Sequence, residues 1–541
     1  MSAKDYSMTT VEAGASARLR WGALILICAA ALGLRLVAAS QHVSTPYFKF
    51  TLVGLDGPDQ NAYYEWAKAI LRGSLVGEKL SSGQPLPFSP VYPAIVALGL
   101  RLDPSSVVWT LYLQGLLSAA LVPVFFLYGR RLGGAIAGWT AAGLWAVYGP
   151  SVFYDACLLR DSMVTSSLFL LCYTLYRARI TDAPPRSWVL IGLLAGAAFV
   201  LREHPVILIV PLMVWLAPRA ASARTSPAAR AGLLLTAALL AVAPFAVYNT
   251  RASGRLLPVS TQGVEAFWLG NTPGDPAAAH WPTARSRALQ AESAQSFGGT
   301  ARVFARELTR DPVGYARLYV RKAALFIKDY EIPGNYSYEV YRRIVPVSAW
   351  APGRWSWVIG LALVGALAAW KRRAESYEVW VFCAVFLVAA LLIHIQSRYR
   401  FILAPYLVLL AGCGISSLSE LLKARRWRSY AVAFVLMMSV WAYSIVPPTM
   451  ALYLDRLAPA GQERRPLPRL LESDYLTLLV SYYFTADRTY VPHLNQVARE
   501  AYTVYGDGIR QKFESSMRVL FQRKRNELMD RVYVSETIPN S

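Results

Sequence analysis

The sequence predicts an all-α polytopic membrane protein with about eleven transmembrane helices. Three observations carry this. Of 541 residues, 55% are hydrophobic and only 16% charged, whereas a soluble chain carries about a quarter charged to cover its surface. The apolar residues gather in runs long enough to cross a bilayer core. The basic residues, which give a formal net charge of +22, recur at alternate short connections. The same figures exclude a disordered chain, a collagen and a small disulfide scaffold.

The runs lie at Trp21–Ala39, Val107–Tyr128, Gly134–Phe153, Ser162–Tyr176, Trp188–Leu201, Val206–Leu216, Ala231–Val247, Trp355–Trp370, Val379–Ile393, Phe401–Ile415 and Tyr430–Val446. The fifth and sixth are short and are parted by Arg202-Glu203-His204-Pro205. Each charge there would cost ~2.5–3.5 kcal/mol in mid-helix. Arg18 and Arg20 precede the first run. Arg130-Arg131, Arg177 to Arg186, Arg219 to Arg230, Lys371 to Arg373 and Lys423 to Arg428 follow at every second connection. By the positive-inside rule these connections are cytoplasmic. The expected organisation is a cytoplasmic tail (1–20), a membrane domain (21–447) and an extracytoplasmic region (448–541). The membrane domain carries outer loops at 40–106 and 248–354. Because the charge is largely topological, no nucleic-acid partner is expected; the bilayer is one. Ala38-Ala39-Ser40 offers a cleavage site, but Arg35 and the length of the run favour an uncleaved anchor. Cys28, Cys157, Cys172, Cys383 and Cys413 lack ligand-like spacing and read as apolar packing.

The outer connections hold the chemistry. After Asp56 and Asp59, residues Tyr63, Trp66, Ala67 and Ile70 recur at i, i+3, i+4, i+7, the pattern of an interfacial amphipathic helix. Asp59 stands at its start, where a carboxylate either caps the helix or, held ionised by the dipole, accepts a proton. The turn after the third run brings Asp155, Arg160 and Asp161. Here Asp155 either pairs with Arg160 or joins Asp161, itself a helix cap or a second acidic group facing the first. Arg202 and His204 are either members of a self-neutralising cluster with Glu203 or cations for a lipid phosphate. The long loop contributes Asn271, Lys322 and Glu331, and the last turn Arg398 and Arg400. Two outer arginines run against the inside bias, so a local use such as phosphate binding is expected of them.

In that order, Asp59 to Ala67, Phe88-Ser-Pro90-Val-Tyr92-Pro93, Tyr148-Gly-Pro150 to Leu159 with Asp161, Leu201-Arg202, Gly270-Asn271-Thr272-Pro273, Arg321 to Asn335, and Arg398-Tyr399-Arg400 resemble the GT-C superfamily of membrane glycosyltransferases. The closer resemblance is to bacterial family 39, the protein mannosyltransferase-like group. It implies transfer of a sugar from a polyprenyl-phosphate carrier to a protein, lipid or glycan acceptor outside the cytoplasmic (inner) membrane. Asp59 is then the base, and Asp161 is assigned as the acid that positions the acceptor or the base. Asp56, Tyr63, Trp66, Asp155, Arg202, His204, Asn271, Lys322, Glu331, Arg398 and Arg400 are candidates for binding substrate. Glu203-His204 and Thr272 depart from the family pattern. No cofactor is required, because the carrier supplies the activated bond; a divalent metal between the outer carboxylates stays open, although no spacing calls for one. The competing readings are a ligase or polymerase of O-antigen type, which would weight the long loop, a lipid or solute transporter, and a non-catalytic subunit.

Overall fold

The computed structural model describes residues 3–53, 59–73, 88–204, 206–216, 226–254, 256, 263–274, 284–293, 296–332, 334–370 and 373–449. Asp56 and the amphipathic pattern of the tail (Ile509, Phe513, Met517, Leu520) lie outside them. Among the described residues the chain is helical without strands, and a single bridge joins Tyr148 to Gly353.

The first part comprises α1 (Ala3–Ser44), α2 (Pro46–Val53), α3 (Asp59–Leu71), α4 (Val91–Leu102), α5 (Val108–Ala119), α6 (Leu121–Ala146), α7 (Gly149–Asp155) and α8 (Asp161–Ile180). Then come α9 (Pro185–Leu201), α10 (Val206–Leu216), α11 (Pro227–Ser253), α12 (Gly263–Gly270), α13 (Ala284–Glu292), α14 (Phe297–Arg310) and α15 (Pro312–Ile327). The last are α16 (Tyr338–Ile344), α17 (Trp355–Trp370), α18 (Tyr377–Leu392), α19 (Ser397–Phe401), α20 (Ala404–Lys423) and α21 (Trp427–Ile445).

Each expected apolar run falls on helix. By length and composition, five stretches could cross a membrane: Trp21–Ser44, Val108–Ala146, Pro227–Arg251, Ala404–Lys423 and Trp427–Ile445. Shorter apolar helices include α9, α17 and α18. The 39-residue stretch would span ~58 Å as one rod, far more than a bilayer core. It reverses at Gly133-Gly134, where Gly134 takes φ +81°, a value glycine adopts without a Cβ clash. The second and third runs are therefore separate, divided where the sequence placed a connection. One apolar helix was not expected as such. α4 lies within the first outer loop and packs on α3.

The core is a large cluster running through α1, α5 to α9, α17, α18 and α20. Phe125 stacks between Trp145 at 4.9 Å and Phe169 at 4.3 Å. Where α17 crosses α20, Gly365 lies against the carbonyl of Leu410, leaving no room for a Cβ. Such close backbone approach is the usual reason for glycine between membrane helices.

A fully buried Arg35 ties α1 into this core. Its Nε donates to Asp155 at 2.8 Å and Ser118 at 3.2 Å. Its terminal nitrogens reach the carbonyls of Ala31, Trp145 and Ala146 at 3.1 Å each, and Ser151 Oγ at 2.8 Å. Asp155 thus pairs with Arg35, not with Arg160, and is occupied in holding α7 against α1. The charge that argued for a retained first helix is the partner of a buried carboxylate.

Ion pairs also sort the connections into two ends. At one end Arg179 grips Glu378 at 2.5 and 2.9 Å, and Arg230 meets Asp182. These lie in the basic connections expected inside. At the other end Arg202 meets Asp161 and Arg398 meets Asp59. All four belong to connections expected outside.

Candidate active site

Asp59 is the first residue of α3, and the buried face of that helix fixes its position. Tyr63 sits edge-on to Phe88 at 5.0 Å and Tyr92 at 4.9 Å, and Trp66 packs on Phe88 at 5.2 Å. The Tyr92 hydroxyl donates to Gln114 of α5 at 2.6 Å. Tyr63 and Trp66 are accordingly buried packing residues that aim α3.

The Asp59 carboxylate accepts from Arg398 of α19 at 2.6 Å. Burial pushes this carboxyl up. The charges of Arg398 and Arg160, with hydrogen bonds from Arg398 and Asn335, outweigh burial and hold it below the ordinary carboxylate value. Arg398 also donates from Nε to Gln396 at 2.8 Å and from its other terminal nitrogen to the Tyr399 hydroxyl at 2.9 Å. The Tyr399 ring lies 4.8 Å from the Arg398 guanidinium and 4.7 Å from that of Arg202. Arg202, at the end of α9, closes the circle on Asp161 at the start of α8.

Arg160 belongs to this group although the sequence did not single it out as a site residue. It donates to the Leu201 carbonyl at 3.3 Å. Burial pushes its guanidinium down, but Tyr63, Asp59 and Asp161 more than offset this and keep it charged. The adjacency of Arg160 to Asp161 was the available signal. Assigning it to Asp155 hid it.

An apolar groove of about 910 Å³ opens beside the cluster. Its walls come from α10, α12, α14 and α18, with Phe267, Phe304 and Phe386 among them. Arg202, Glu203, His204 and Tyr399 also line it. The volume lies at the upper end of the ~300–1,000 Å³ usual for ligand sites. His204 stands edge-on to Phe199 and Phe386, each at 6.1 Å. Burial pushes the imidazole down to about 3, so it is neutral at ordinary pH and not the cation one alternative expected.

The other candidates lie in two buried networks. Asn271 donates to Phe267 and Leu392 and accepts from Tyr319 at 2.7 Å. Lys322 donates to Asn271 at 3.3 Å and to the Leu391 carbonyl at 2.8 Å. Its burial pushes the ammonium down to about 7. Lys322 therefore anchors the long loop to the end of α18 and does not reach a headgroup. Gly270 permits this, since a Cβ there would meet the backbone of Ile393 and His394. Arg400 is buried, 2.7 Å from Glu331, donates to the carbonyls of Phe326, Lys328 and Tyr330, and lies 4.7 Å from the Trp355 ring. Burial holds Glu331 above its ordinary value despite Arg400. This pair fastens the loop after α15 and engages both terminal nitrogens of Arg400, while its buried Nε has no hydrogen-bond partner among the described residues.

Residues 85–248 match the family described as dolichyl-phosphate-mannose-protein mannosyltransferase. The resemblance to the protein mannosyltransferases is borne out. The matched segment contains the Phe88-to-Pro93 and Tyr148-to-Leu159 motifs, Arg160, Asp161 and Arg202; Asp59 and Arg398 lie outside it. Among solved structures, the apo oligosaccharyltransferase of Archaeoglobus fulgidus is similar over 87% of this chain and 59% of that one, at 11% identity and a TM-score of 0.43. Its complex with zinc and sulfate gives 87% and 56%, 12% identity and a TM-score of 0.39. The form tethered to an acceptor peptide gives 77% and 56%, 11% identity and 0.35. The chain thus spans less than two thirds of the length of those structures. No curated protein matches it.

Proposed function

We propose that the protein moves a sugar from a polyprenyl-phosphate carrier to an acceptor hydroxyl at the end of the bundle expected to face outside. The observation that carries this is the juxtaposition of an apolar groove and the charged cluster. Arg202 and Tyr399 are part of the groove's lining, and Arg398 and Asp59 are joined to Tyr399 in turn. The trough suits a polyprenyl tail, and the arginines suit a phosphate, for which guanidinium offers paired donors.

In the proposed reaction the acceptor oxygen forms a bond to the anomeric carbon as the bond from that carbon to the phosphate oxygen breaks. Its proton passes to Asp59, and the polyprenyl phosphate leaves with the electron pair. Asp59 contributes the ~10²–10⁴-fold typical of positioned proton transfer, and Arg202, Arg398 and Arg160 stabilise the departing charge. Asp161 holds Arg202 in place. A single base at the centre corresponds to inversion at the anomeric carbon. The acceptor is a protein, lipid or glycan.

The test is purified protein with labelled polyprenyl-phosphate sugars and a panel of acceptors. Transfer from a carrier in wild type, lost in Asp59→Asn, supports the reading. Full transfer by the variant removes Asp59 as base. Absence of transfer from every carrier favours the transporter or scaffold reading.

A further inference from the structure

Both carboxylates of the site are ion-paired to the arginines that the proposed function gives to the donor phosphate. Asp59 holds Arg398 at 2.6 Å and Asp161 holds Arg202. The Tyr399 ring lies against both guanidiniums. Arg202 and Tyr399 line the groove, whereas Arg398 is joined to the groove wall through the Tyr399 hydroxyl. A phosphate arriving by the groove therefore meets Arg202 and Tyr399 before it meets Arg398.

Resting on that reading of the site, we propose that Arg398 is a positioning residue shared between the base and the donor: it is latched on Asp59 in the empty site and transferred to the donor phosphate on binding, so that Asp59 becomes a competent base only once the donor is in place. Three features argue for this. A carboxylate engaged by a guanidinium at 2.6 Å has a lone pair committed to it and is a weak acceptor for a hydroxyl proton. The same cation holds the carboxyl below its ordinary value, so withdrawing the cation to a phosphate restores basicity. Arg398 keeps two other anchors, Gln396 and the Tyr399 hydroxyl, which can hold its stem near the site while one terminal nitrogen changes partner. The consequence is an ordered reaction, donor first, in which an acceptor that enters an empty site finds no base.

Competition for Arg398 yields an outcome that simple loss of a catalytic group does not. Removing the base should tighten donor binding. The experiment measures the dissociation constant of polyprenyl phosphate, which carries the phosphate but no sugar, for wild type, Asp59→Asn, Arg398→Gln and the double variant, with thermal melting as the check on folding. Asp59→Asn is expected to bind at least ~5-fold tighter than wild type, the lower end of ordinary coupling between two sites. In the Arg398→Gln background the same change should have little effect, because the arginine it releases is gone. If Asp59→Asn binds no tighter than wild type, the latch is overturned. If it binds equally tighter with and without Arg398, simple relief of charge repulsion explains the gain and the latch is again overturned. Should Asp59→Asn fail to fold, Asp59→Ser takes its place in the same cycle with Arg398→Gln. Wild type that binds no polyprenyl phosphate overturns the proposed function itself. Wild type that binds, without the predicted cycle, overturns only the latch.

Discussion

The Arg35–Asp155 pair gives the sharpest prediction about stability, because its two halves should not be equally dispensable. Both side chains are essentially inaccessible to solvent. Replacing Asp155 with leucine leaves a guanidinium surrounded by Ser118, Ser151 and three carbonyls with no counter-charge. Arginine cannot shed its proton to escape this. Replacing Arg35 with leucine leaves Asp155, which keeps Ser151 and Ser162 as donors and can take up a proton. Breaking a buried pair from one side costs about 3–5 kcal/mol. Asp155→Leu should therefore lie at or above the top of that range and Arg35→Leu near its bottom. The double variant should recover part of the loss. The assay is denaturant or thermal unfolding in detergent, read as a double-mutant cycle. Equal losses, or a loss below about 1 kcal/mol for either single change, would refute the claim that this pair locks α1 to α7.

Other predictions follow from the same geometry. Arg398 and Arg400 should separate cleanly: Arg400→Gln should lower stability by about 3 kcal/mol by leaving Glu331 unpaired. Arg398→Gln, whose partner Asp59 is less buried than Glu331, should cost less stability than Arg400→Gln while weakening binding of polyprenyl phosphate. Lys322 tests pH dependence. Its folded ammonium is depressed to about 7, so between pH 7 and the ordinary lysine value near ~10.4 the unfolded chain binds more protons and stability rises with pH. The melting temperature of wild type relative to Lys322→Met should accordingly rise as pH goes from 7 towards about 10. A difference independent of pH would mean that the amine is not desolvated as described. Gly365→Ala should lower the melting temperature by parting α17 from α20, whereas Gly232→Ala, with open space around it, should be neutral.

Much of the scaffold was legible because the signals were local. An apolar run is a helix in lipid for want of any other backbone partner, and the period in Gln60 to Leu71 gave α3 with its buried face. The sorting of charged connections into two groups anticipated which loops meet at each end. What sequence could not supply was pairing across distance. Nothing near Asp155 points to Arg35 on α1, so Arg160 was offered as its partner and its place beside Asp59 was missed. Arg398 and Arg400 look equivalent as residues. Two positions apart on one short helix they face different ways, one towards Asp59 and the other into the carbonyls after α15. Lys322 read as a substrate contact from the long loop, yet it lies on the buried side of its helix. His204 was open between a self-neutralising cluster and a phosphate cation, and burial disfavours its charge.

The central claim is that Asp59 is the base of a lipid-phosphate-dependent glycosyl transfer. It is tested most directly by single-turnover transfer from a labelled polyprenyl-phosphate sugar, at saturating donor, with wild type and Asp59→Asn side by side. The variant is expected to bind donor at least as well as wild type and to transfer sugar ~10²–10⁴-fold more slowly. Transfer by the variant at the wild-type rate would contradict it.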